Sequence, residues 1–118
     1  MKDLRMALLL DCYGEFLTKR QYEFTNLYYC EDFSLGEIAS KTDVSRQAVS
    51  NSIKRSEHIL LEMEEKLQFA SKICRLRDNY TQISELAQKL ISHENANPDI
   101  KELGDEILRL ADNCSGLL

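Results

Sequence analysis

A chain of 118 residues, 43% hydrophobic and 30% charged, has the balance of a folded protein the size of one domain, or of one small domain with an extension. No apolar run approaches the roughly 18–20 residues that span a bilayer. The net charge of −5 confines any nucleic-acid role to a local patch.

One proline, four glycines and an abundance of Leu, Glu, Lys, Ala and Arg predict an all-α fold. The first element is a helix over about residues 2–16, apolar on most of its surface through Leu4, Ala7, Leu8, Leu9 and Leu10. Its run "MALLL" is followed by Asp11 and lacks a small-residue cleavage site, so it does not read as a secretory leader, and the chain is expected in the cytoplasm. A second helix over 19–31 follows Thr18, whose hydroxyl pairs with Gln21 in a capping box, and it offers Phe24, Leu27 and Tyr28 to a core. A third over 35–41 repeats the box with Ser34 and Glu37. A fourth starts at Arg46 behind Ser45, where Ala48 leaves the box incomplete. At each start an apolar pair brackets the cap: Leu17 with Tyr22, Phe33 with Ile38, and Val44 with Val49. Such staples fix the angle at which the chain enters each helix.

From Val49 an apolar seam runs through Ile53, Ser56, Leu60, Met63, Leu67, Ala70 and Cys74 at alternating steps of four and three. The fourth helix therefore reads as having no stop at Arg55 and running well past the first unit. Its seam can be covered by a second copy of the chain or by residues 80–114 of the same chain. Two further stripes follow, one from Leu76 to Leu90 and one from Ile100 to Cys114. Between them "ENANPD" places Asn97 at an N-cap and Pro98 at the first helical position. The stretch "RDNY" at 77–80 reads equally as a kink or a short loop. Residues 1–70 thus form a helix-turn-helix domain, and 71–118 a helical extension suited to dimerisation or packing.

The functional signal lies in "SLGEIASKTDVSRQAVSNSIKR", residues 34–55. In a helix-turn-helix two short helices cross steeply, and the second lays its N-terminal half in the major groove. Ala39 supplies the small residue at the crossing. Ile38, Val44, Val49 and Ile53 anchor both helices, and Thr42-Asp43 occupies the corner where glycine is usual. With Val49 and Ile53 inward, Ser45, Arg46, Gln47, Ser50, Asn51, Lys54 and Arg55 make the DNA-facing set. Gln47 and Asn51 match adenine edges, Arg46 matches guanine or a phosphate, and Lys54, Arg55 and the capped helix start suit phosphates. Residues 1–70 hold 9 Lys+Arg against 12 Asp+Glu, a balance of −3, whereas 45–56 alone is +3. One copy neutralising about three phosphates would lose only ~40-fold in affinity over a fourfold rise in salt, so DNA reading calls for a homodimer.

The segments "LLLDCYGEFLTKRQ", "LYYCEDFSLGEIA" and "VSRQAVSNSIKR" resemble the YlxM-like family of small bacterial helix-turn-helix proteins, and residues 34–55 are also similar to the DNA-reading motif of sigma factor region 4. The resemblance implies a sigma region 4-like fold with a long recognition helix and a DNA-binding regulator of transcription. It also implies a tie to the signal recognition particle pathway, since genes of that family lie beside those of the particle's GTPase and its receptor. The competing function is a protein-binding accessory module of that GTPase or receptor, acting through the acidic surface or the C-terminal helices.

The remaining chemistry-bearing residues point to no enzyme, cofactor or metal. Cys12, Cys30, Cys74 and Cys114 are too widely spaced for a redox or zinc motif and are expected as reduced, mostly buried thiols. His58 and His93 stand alone, as surface or packing residues, and Glu62, Glu64 and Glu65 read as a solvated helix face.

Overall fold

A computed structural model describes residues 2–117. They form two compact units that divide after Ala70. The described residues outside connections are helical: α1 Leu4–Tyr13, α2 Lys19–Tyr29, α3 Leu35–Thr42, α4 Arg46–Leu67, α5 Phe69–Ser92 and α6 Pro98–Ser115.

The caps decide where most helices begin. Thr18 and Ser34 form complete capping boxes with Gln21 and Glu37; Ser45 and Asn97 accept single N–H bonds from Ala48 and Ile100. Helix α1 is shorter than its apolar run suggests. After Tyr13 the chain tightens into a 3-10 turn over Gly14–Phe16. Glycine lets the Tyr22 ring lie close over this turn, because a Cβ at Gly14 would stand 2.7 Å from the ring and displace it.

Helix α4 is the spine of the first unit. Near its start Val49 and Ile53 pack with Phe24, Leu27 and Ile38 of α2 and α3. Further along, Leu60 packs with Met6, Leu9, Leu10 and Tyr13 of α1. Ser56 sits buried between the two groups, its hydroxyl donating to the Ser52 carbonyl at 3.0 Å. From Val49 to Leu60 the seam on α4 is therefore covered by the three short helices before it.

Helix α4 also stops sooner than its pattern indicates. Gln68 adopts a left-handed backbone (φ 56°) and donates its N–H to the Glu64 carbonyl at 2.8 Å. Helix α5 starts at the next residue, and its first amides are claimed by side chains. Phe69 N–H donates to the Tyr13 hydroxyl oxygen at 3.0 Å, and Ala70 N–H to Glu64 Oε1 at 3.1 Å. The Tyr13 hydroxyl in turn donates to Glu64 Oε1 at 2.7 Å, with the Glu64 side chain buried. Glu64 is thus a structural carboxylate and no part of a solvated face. Residues 77–80 lie inside α5, and no loop interrupts it.

In the second unit α5 and α6 run antiparallel, joined across residues 93–97. They touch through small residues: Ala87, Gly104 and Ala111 are buried, and a Cβ on Gly104 would meet Ile91 Cγ1 at 2.7 Å. The cysteines form no disulfide with one another, but they are not mostly buried: Cys30 is exposed and the other three are half-buried. No helix among the described residues is long and apolar enough to cross a membrane.

Candidate nucleic-acid interface

The corner between α3 and α4 turns on Asp43, whose backbone is left-handed (φ 56°, ψ 38°). Val44 N–H, just past it, donates to the Ala39 carbonyl at 3.3 Å, and the Thr42 hydroxyl to the Ile38 carbonyl at 2.7 Å. Three residues, Asp43 to Ser45, thus separate the two helices, and their apolar anchors Ile38, Val49 and Ile53 are buried together. Phe33, Ala39 and Val44 pack against that cluster, which fixes the crossing from both sides.

Burial of Val49 and Ile53 determines what α4 shows to solvent. Ser45, Arg46, Gln47, Asn51, Lys54 and Arg55 are exposed, and Ser50 is half-buried. Among the described residues no ion pair holds Arg46, Lys54 or Arg55. Their charges are therefore free to meet phosphate. Gln47 Nε2 donates to Asn51 Oδ1 at 3.2 Å, one helical turn apart. This leaves the Gln47 side-chain oxygen to accept and the Asn51 side-chain N–H groups to donate.

Three residues outside the sequence-derived set adjoin it. A shallow groove beside Lys54 and Arg55 is lined by Gln21 of α2 and by His58 and Ile59 of α4. His58 carried a usable signal, since it stands three and four residues after Arg55 and Lys54 on one helix face. Gln21 carried none, because its side chain is visible in sequence only as half of a capping box. Past this patch α4 changes character: His58 lies 3.7 Å from Glu62, and Glu62 pairs with Lys66 at 3.1 Å. That lysine holds the Glu62 carboxyl below the usual range. The positive surface thus ends within one turn of Arg55.

Glu37, on the first turn of α3, has its carboxyl lowered by the Ser34 backbone N–H and then by the Ser34 side chain. It stays ionised in its capping role, which places one negative charge at the start of the first helix of the pair. Three residues past Lys54 on α4, the Glu57 carboxylate accepts a bond from the Tyr29 hydroxyl, and burial followed by that bond raises the tyrosine's pKa. These groups hold a helix start and a contact between helices.

Residues 1–102 match the family model described as "Putative helix-turn-helix protein, YlxM / p13 like". The chain is also similar to UPF0122 proteins from several bacteria. That of Bacillus velezensis is 44% identical over 102 residues, covering 86% of this chain and 93% of the relative. That of Halalkalibacterium halodurans is 46% identical over 93 residues, covering 79% and 85%. That of Bacillus cereus strain AH187 is 40% identical over 109 residues, covering 92% and 96%.

Proposed function

This chain belongs to the YlxM / p13-like family of helix-turn-helix proteins, and we propose that it is a DNA-binding regulator that reads duplex DNA through the N-terminal half of α4. The observation that carries this reading is the free, one-sided display of Arg46, Gln47, Asn51, Lys54 and Arg55 from a corner fixed by buried anchors. Arg46, in the first turn of α4, reaches either a base or a phosphate; Lys54 and Arg55 grip phosphates further along. The Gln47–Asn51 pair supports an adenine preference. Adenine shows a donor (N6) beside an acceptor (N7) in the major groove, which complements the open Gln47 oxygen and Asn51 amide. Residues 1–70 serve as the reading domain and 71–118 as the module that brings copies together.

The test is binding of a selected duplex by the full chain and by a variant with Arg46, Gln47 and Lys54 changed together to Ala. The variant keeps its helical signal and loses binding; unchanged binding removes the proposal. The acidic balance of residues 1–70 outside the corner favours a second reading, in which the acidic surface or the C-terminal helices, and not the corner, bind a protein partner of the signal recognition particle pathway. In that case the triple variant still co-purifies with the particle's GTPase or its receptor, and neither protein retains duplex DNA.

A further inference from the structure

The α5–α6 unit leaves a row of large apolar side chains outside its own helix–helix contact. Leu76, Ile83, Leu86 and Leu90 on α5, and Leu103, Ile107 and Leu110 on α6, are between 40% and 64% exposed. Only small residues and half-buried neighbours fill the line where the helices meet. At about 100° of turn per residue, each exposed stripe lies roughly a quarter turn to the same side of its helix's inward line. In an antiparallel pair that puts both stripes on one face. The groove on the opposite face is lined by polar Thr81, Ser84, Gln88 and Asp112, among others.

The apolar face leaves on the order of 600 Å² uncovered, the upper limit for a typical monomer. With the polar residues that border it, the face approaches the ~800 Å² one partner gives to a standard interface. Leu76, Ile83 and Leu90 recur every seven residues, as do Leu103 and Leu110. That repeat is the register in which helices pack side by side over length.

The charges bordering the face say what covers it. Lys72 and Arg75 flank Leu76 at the start of α5. Asp99, Glu102 and Glu106 flank Leu103 at the start of α6, with Glu106 also 3.7 Å from Arg109 along its helix. Because the two helices are antiparallel, these groups lie at opposite ends of one face. A surface that is basic at one end, acidic at the other and apolar between is complementary to itself turned end for end.

We propose that the exposed face of the α5–α6 hairpin is covered by the same face of a second copy, related by a two-fold axis, in an antiparallel four-helix bundle with Lys72 and Arg75 of each copy against the acidic start of α6 in the other. The arrangement makes each charge contact twice, whereas a parallel one would set like ends together. It deepens the two-copy requirement of the DNA reading. Its test measures mass and not DNA, so either can fail without the other.

Analytical ultracentrifugation of the full chain tests it with four proteins. The unchanged chain sediments at twice its own mass. Ile83→Asp with Leu86→Asp, both at exposed positions, weakens association by about a hundredfold or more. Lys72→Glu with Arg75→Glu, and separately Glu102→Lys with Glu106→Lys, each weaken it about tenfold, since like charges then face each other in both contacts. Mixing these two charge variants restores the dimer, because both contacts of the mixed pair are again opposite in sign. An unchanged chain at single mass at about 100 μM overturns the proposal, as does an aspartate variant that keeps its dimer. If the aspartate variant loses helix, the charge pair decides alone: charge variants that do not recover on mixing overturn the antiparallel contact.

Discussion

The Tyr13 hydroxyl does three things at once. It donates to Glu64, accepts from the Phe69 amide and lies buried in the α1 cluster. Burial, then the Glu64 bond, raises its pKa, so it remains a neutral donor at all ordinary pH. Tyr13→Phe leaves the Phe69 amide and one lone pair of Glu64 without this partner. The expected loss is about 1–3 kcal/mol, read by urea denaturation followed by helical circular dichroism; an unchanged midpoint would show that the joint between α4 and α5 does not depend on this hydroxyl. Glu37 gives the pH counterpart. Its carboxyl is lowered in the folded chain by the Ser34 backbone N–H. The stability it adds is present above its unfolded pKa, about 4.3, and fades as pH falls through its lower folded value. Glu37→Gln keeps a capping acceptor but does not titrate. Its melting temperature should therefore fall less steeply than that of the unchanged chain below about pH 4.5; parallel acid limbs would contradict the assignment.

At the scale of elements, the corner and the spine respond differently to change. Asp43 holds a left-handed backbone that glycine adopts at no steric cost. Asp43→Gly should raise stability by up to about 1 kcal/mol without altering the crossing, whereas a destabilised variant would mean that the Asp43 side chain contributes locally. Leu60, fully buried under α1, marks the spine; Leu60→Ala should cost about 2–5 kcal/mol in the same denaturation measurement. Much of this was readable in the sequence, because caps and staples are local chemistry. Thr18, Ser34, Ser45 and Asn97 announce their helices within four residues. The stop at Gln68 was not readable, since glutamine carries no turn signal and the break is secured by Tyr13, more than fifty residues away. The seam on α4 showed that a face must be covered but not by what: a four-and-three repeat looks the same whether one long helix or three short ones cover it. At the candidate site, burial of Val49 and Ile53 fixes which side chains of α4 are exposed. Half-buried Ser50 and the neighbouring Gln21 needed the packing of α2 to be seen.

For the whole molecule, the governing fact is an acidic chain whose α3–α4 corner carries a short basic patch. Three free cations per copy make weak electrostatics: one copy should lose about 40-fold in DNA affinity over a fourfold rise in salt. Two copies that together contact about six phosphates should lose more than about a thousandfold over the same range. The salt slope therefore counts the corners on the DNA, and the Ile83→Asp, Leu86→Asp variant should halve it. The central claim, that the α3–α4 corner binds duplex DNA, is tested most directly by fluorescence anisotropy on a selected duplex, comparing the full chain with its Arg46→Ala, Gln47→Ala, Lys54→Ala variant at equal helix content. Binding by the unchanged chain that disappears in the variant is the result expected. Equal binding by both proteins, or none by the unchanged chain at low salt, would contradict it.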